Sequence, residues 1–182
     1  MSVKKHVFGL LAAVLFSGFT QAQCQLSLSR TELSYGKVHE SDYSGQHKRW
    51  KTLNDRTVQL TAICDAPAKM AIFAQGGAQD EGFRFASDSV MLVSASDATL
   101  DGKPVMIGKT VSHSPFLLNG AGGNKKLLRD NEGLVPVSGE HILQGQQFTV
   151  QLTVRPALSS RDTKVKDKST LVSNLHFSVE TE

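Results

Sequence analysis

The sequence predicts an all-β sandwich, and three features predict it. Apolar and polar residues alternate through many short stretches, glycine and proline separate those stretches, and no window of about twelve residues carries an apolar repeat of helical period. The only two cysteines sit in the two clearest alternating stretches of the first half. In CQLSLS, Cys24, Leu26 and Leu28 share one face of an extended strand. In TVQLTAIC, Val58, Leu60, Ala62 and Cys64 do the same, with Thr57, Gln59 and Thr61 opposite. Each cysteine thus continues the core side of its strand. Two inward thiols on neighbouring strands can close a loop of about 40 residues, worth roughly 4 kcal/mol by chain entropy. Separate buried thiols are the alternative.

The N-terminus favours the disulfide. Lys4, Lys5 and His6 precede an apolar run from Val7 to Phe16, and small and polar residues lead to Thr20-Gln21-Ala22. This is the pattern of a secretory signal peptide over Met1–Ala22, cut after Ala22, and the run is too short for a membrane span. Gln23 before Cys24 excludes a lipoprotein site. An exported chain meets an oxidising compartment, where the Cys24–Cys64 bond is expected. The remaining residues 23–182 have the size of one domain. Loss of Lys4 and Lys5 lowers the formal charge from +3 to +1, so neither nucleic acid nor anionic lipid is indicated as a partner. No later apolar run is long enough to span a membrane.

Along the chain, Glu32–Val38 places Leu33 and Tyr35 on one face, with Gly36 a candidate bulge. His39–Asn54 reads as a polar loop. Arg56–Cys64 is a strand, Asp65-Ala66-Pro67 a turn, and Lys69–Gln75 another strand ended by Gly76-Gly77. Short strands are expected at Gly82–Ala86, Ser89–Ser94, Ala98–Leu100 and Val105–Ile107, the last two around an Asp101-Gly102 hairpin turn. Asn119–Asn124 reads as a flexible tip, Lys125–Arg129 as one helical turn at most, and Pro136 places Val135–Val137 on an edge. Gln147–Val154 alternates cleanly. After the polar stretch Arg155–Ser169, the terminal strand sets Leu171, Ser173, Leu175, Phe177 and Val179 on one face.

Chemistry is sparse. The histidines outside the signal segment (His39, His47, His113, His141 and His176) form no pair at ligand spacing, so no metal and no cofactor are expected. Ser112 and His113 are adjacent and point to opposite faces of an extended chain, which makes no dyad. Gly120–Lys126 lacks the spacing and the following helix of a phosphate loop. Asp80-Glu81 reads as solvated. No residue set supports catalysis. Trp50, flanked by Lys48 and Arg49, is a candidate ligand contact, with packing of the indole onto the sandwich as the competing reading.

The stretch CQLSLS…LSYGKV…TVQLTAICDAP, the cysteine spacing and the alternating chain end resemble the pilin domains of chaperone–usher fimbriae. The sequence looks closest to fimbrial-like proteins of Gram-negative bacteria. The resemblance implies an immunoglobulin-like sandwich lacking its last strand, with an apolar groove completed first by a periplasmic chaperone and then by a neighbouring subunit. Leu171, Leu175, Phe177 and Val179 would wall that groove. The partners implied are the chaperone, an outer-membrane usher and other fimbrial subunits, and the location is the periplasm and then the fimbrium or cell surface. Two positions depart from the family, Ser169 standing where a glycine is usual and Thr181 where a penultimate tyrosine is. A donor strand needs roughly ten alternating residues at about 3.3 Å each, and only Gln23 precedes Cys24. The expectation is a subunit that accepts a donor strand without giving one, either at the fibre tip and involved in adhesion or never polymerising at all. A self-contained periplasmic or secreted binding module is the alternative.

Overall fold

The computed structural model describes residues 23–47, 49–163 and 171–182. The expected signal peptide, Lys48 and Ser169 lie outside the described residues. Within them the chain is all-β, with one 3-10 turn at Glu40–Asp42. The first strands in chain order are β1 (Cys24–Leu28), β2 (Tyr43–His47), β3 (Trp50–Leu53), β4 (Arg56–Gln75), β5 (Ala78–Gln79), β6 (Gly82–Phe85) and β7 (Ser89–Leu100). Then come β8 (Lys103–Pro104), β9 (Met106–Thr110), β10 (Lys125–Leu128), β11 (Glu132–Ser138), β12 (His141–Ile142), β13 (Gln144–Ser159) and β14 (His176–Thr181).

The long strand β4 belongs to two sheets. Its first half lies between β1 and β13, and β7 follows β13 in the same sheet. Its second half lies between β14 and β11, with β9 beyond. Asp65-Ala66-Pro67 is therefore not a turn but the corner at which one strand changes sheets. All three residues are exposed there, while the even-numbered residues face the core on both sides of the bend, Val58 to Cys64 before it and Ala68 to Ala74 after it. Side chains of both halves meet in one cluster: Leu60 and Ala62 from the first, Met70, Ile72 and Ala74 from the second, with Val93, Leu134, Phe148 and Leu152 from the facing strands.

Cys24 and Cys64 are directly opposite in the β1–β4 register and are bonded, with their Cα atoms 4.0 Å apart. Asp101 and Gly102 both take positive φ (50° and 76°), the geometry of a two-residue hairpin turn, and join β7 to β8 as expected. The Asp101 carboxylate also accepts from the backbone N–H groups of Gln146 and Gln147, which locks this hairpin to β13.

Several expectations are corrected by pairing that local pattern does not reveal. His39–Asn54 is not a loop: β2 and β3 form a hairpin, and β3 pairs with the end of β13. Lys125–Arg129 carries no helical turn, since Lys125–Leu128 pairs with β7. Ser89–Leu100 is one strand, interrupted by a bulge near Asp97 (φ 50°). The Asn119–Asn124 stretch is no free tip, because Gly123 and Ile107 exchange backbone hydrogen bonds along β9. Leu33 and Tyr35 are both half-buried, but Glu32–Val38 pairs with no strand among the described residues. Leu33 packs on the main cluster, and the Tyr35 hydroxyl donates to the Val154 carbonyl at 3.4 Å.

Candidate functional site: an open seam between the first and last strands

An edge strand offers a row of unpaired N–H and C=O groups, so most chains blunt their edges. Almost every edge here is blunted. β5, β8 and β12 are two residues long, β8 is Lys103-Pro104, and β10 begins with Lys125-Lys126. β2 carries an irregularity between Tyr43 and Gly45, and β9 is covered by the chain at Asn119–Gly123. β1 and β14 are the exceptions. Each pairs with β4 alone among the described strands, and neither contains a proline, a lysine or a bulge.

These two edges approach each other over the main core. Leu26 and Leu28 from β1, and Phe177 and Val179 from β14, pack on the cluster yet remain only half-buried. Leu175, just before β14, does likewise, against Phe83 and close over Gly76, where a Cβ would lie 2.3 Å from its Cδ2. The register explains the split of faces on β14. Phe177 lies opposite Ala74 and Val179 opposite Ile72, so both point with those residues into the core. Ser178 and Glu180 lie opposite Phe73 and Ala71 and point outward. The result is an apolar strip lined by backbone edges that no described strand fills.

The terminal strand is shorter than its alternation suggests. Pairing with β4 begins only at His176. Before that the chain runs against β6: the Val172 carbonyl accepts from Ala86 N–H, and the Ser173 hydroxyl donates to the Arg84 carbonyl at 2.6 Å. Of the four residues expected to wall a groove, Leu175, Phe177 and Val179 meet at the seam. Leu171 is half-buried and does not join that cluster.

β14 is braced from the other side of its sheet. His113 stacks on Phe73 with ring centroids 4.2 Å apart, and its Nδ1 lies 2.9 Å from the Glu180 carboxylate. The Phe116 N–H donates to Glu182, and Phe116 packs on Phe73, Val135 and Val137. The segment whose Ser112-His113 pair makes no dyad thus fixes the outer face of the last strand. No sequence signal connects Ser112–Phe116 with residues 180–182, because 67 residues separate His113 from Glu180.

The other candidate contact, of which Lys48 lies outside the described residues, centres on β3. Trp50 lies in β3 opposite Ser159 and is half-buried; the Arg49 guanidinium already sits 4.9 Å from its ring centroid. Arg49 in turn lies 4.0 Å from Asp80. Among the described residues no group of histidine, cysteine, aspartate and glutamate side chains converges as a metal site would, and no helix is long and apolar enough to cross a membrane. Comparison with protein-family models, curated proteins and solved structures finds no match.

Proposed function

We propose that the chain is a non-enzymatic fimbrial or fimbrial-like subunit: an immunoglobulin-like sandwich that lacks one strand and is completed by a strand from another protein. One observation supports this reading above the rest. The two unguarded edges, β1 and β14, are the two that border exposed core, at Leu26, Leu28, Phe177 and Val179. An extended segment laid between them would hydrogen-bond to a free edge and place every second side chain on the cluster. Completing the burial of each half-buried side chain is worth roughly 1 kcal/mol. A periplasmic chaperone and then a neighbouring subunit would supply that segment, with delivery through an outer-membrane usher.

The test is complementation. The exported chain is mixed with a synthetic peptide of alternating apolar residues, and amide hydrogen exchange is followed with and without it. Protection is expected to rise along β1 and β14, together with the melting temperature. Phe177→Asp should abolish the gain, and His176→Ser, on the exposed outward face, should leave it intact. A chain that folds cooperatively alone, and whose two edges stay unprotected with every such peptide, would instead be a self-contained binding module.

A further inference from the structure

We infer that Asn119 is a site of spontaneous deamidation, and that its conversion to isoaspartate loosens the cover over the edge of β9. This inference stands apart from the seam and does not depend on it.

The reaction needs three things in one place. The backbone nitrogen of the following residue must reach the asparagine side-chain carbon, that nitrogen must be free of hydrogen bonds, and water must have access. A following glycine meets the first need best, because no Cβ comes between the two groups. Asn119-Gly120 is the one Asn-Gly pair in the sequence. Both residues are exposed, and a Cβ built on Gly120 would meet nothing within 4 Å. Neither the Gly120 N–H nor the Asn119 side chain has a hydrogen-bond partner among the described residues.

The other asparagines lack this combination. Asn54, Asn124, Asn131 and Asn174 precede Asp55, Lys125, Glu132 and Leu175, whose side chains crowd the attacking nitrogen. Lys125 is also held in β10, the Glu132 N–H donates to the Arg129 carbonyl, and the Asn131 amide donates to Asp130. Asp101-Gly102 has the glycine and could close the same ring. Its carboxylate, however, is held by the N–H groups of Gln146 and Gln147.

The chemistry balances with water alone. The Gly120 nitrogen gives its proton to solvent and attacks Cγ of Asn119; a C–N bond forms, the Cγ–Nδ2 bond breaks and ammonia leaves. Water then opens the five-membered imide. Breaking the new Cγ–N bond gives aspartate, and breaking the original peptide C–N bond gives isoaspartate. Either product replaces an amide with a carboxylate, and nothing is oxidised or reduced. Isoaspartate also routes the main chain through the side chain and lengthens it by one carbon. That carbon enters between two tethers: the Asn119 N–H donates to the Lys109 carbonyl at 2.7 Å, and Gly123 and Ile107 exchange bonds of 2.9 and 3.0 Å. The lengthened segment no longer fits both, and the β9 edge loses its cover.

The experiment incubates the full exported chain, disulfide intact, in mildly alkaline oxygen-18 water, beside the same chain unfolded in denaturant. Peptide mass spectrometry should show a gain of about 3 Da at Asn119, the mass of an amide exchanged for a labelled hydroxyl. In the folded chain it should proceed about tenfold or more faster than at any other asparagine, and at a rate near that of the unfolded chain. Isomerisation at Asp101 should appear in the unfolded sample alone. Amide exchange at Ile107 and Gly123 should then be faster in the isoaspartate form. Asn119→Gln, which cannot close a five-membered ring, should show neither change. An Asn119 that stays intact in the fold while the unfolded chain converts, or other asparagines converting as fast, would overturn the site. Isoaspartate that leaves exchange at Ile107 and Gly123 unchanged would overturn its effect on β9.

Discussion

Between Arg56 and Cys64, β4 buries every second residue; between Met70 and Ala74 it buries all of them. The composition changes with it, from Thr57, Gln59 and Thr61 alternating with apolar residues to a wholly apolar run over Met70–Ala74, and so does the number of covered faces. The first half has a core on one side and water on the other, so Thr57, Gln59 and Ile63 stay exposed. The second half has the main core under Met70, Ile72 and Ala74, and a second cluster over Ala71 and Phe73. That second cluster exists because Phe116 and its neighbours return across the outer face, tied to Glu180 and Glu182. A strand's burial pattern therefore reports what lies across each face, and the continuous apolar run Met70–Ala74 matches its two covered faces.

The sharpest way to break the comparison is to truncate an outward side chain in each half. Phe73 is 1% exposed and stacked on His113, and its ring lies across Gly133 of β11, where a Cβ would come within 2.9 Å. Phe73→Ala should cost about 3–5 kcal/mol in denaturant unfolding, as for a core phenylalanine. Gln59→Ala, the outward counterpart in the first half, should stay within about 0.5 kcal/mol of the parent. Similar costs at the two positions would mean that the outer cluster is not a core.

This contrast also marks what the sequence made legible. The alternation of Val58–Cys64 and of Phe148–Val154, the inward cysteines and the Asp-Gly hairpin are local facts, and the structure places them as the pattern predicts. Lys69–Gln75 reads as a strand, as the structure has it, but nothing nearby announces that Phe116 covers its outer face. The seam was half visible: Phe177 and Val179 lie where the terminal alternation puts them. Leu26 and Leu28, the other wall, read only as core, because an unpaired edge is a property of the whole sheet.

The disulfide gives a second test, again confined to the solvated half. The bond joins β1 to the end of that half and closes the Cys24–Cys64 loop. Cys64→Ser should lose roughly 2–5 kcal/mol, or fail to accumulate after export. The loss should appear first as faster hydrogen exchange in β1, which pairs only with β4 among the described strands, and only later in the Met70–Ala74 segment. Loosening of both halves together would show that β4 behaves as a single rigid unit across its corner.

The smallest effect concerns the ion pair at the entrance to the solvated half. Asp55 precedes β4, and Arg155 of β13 donates to both of its carboxylate oxygens. That pairing holds the Asp55 carboxyl below its ordinary range, chiefly through the hydrogen bonds from Arg155 and against a smaller opposing effect of burial. A carboxylate whose folded pKa is depressed adds stability that is fully present above the unfolded value, near pH 4, and is lost as pH falls through the folded value. Both side chains are well exposed, 37% for Asp55 and 51% for Arg155, so solvent and salt screen the pair. Its worth is therefore about 0.2–1 kcal/mol. Asp55→Asn should lower stability by that amount at pH 7 in low salt, and by less in about 1 M salt. As the pH is lowered below about 4, parent and variant should converge. A difference that persists undiminished at pH 2 would show that Asp55 acts through shape or backbone geometry rather than charge, and would remove the ion pair from the account of how this edge of β4 is held.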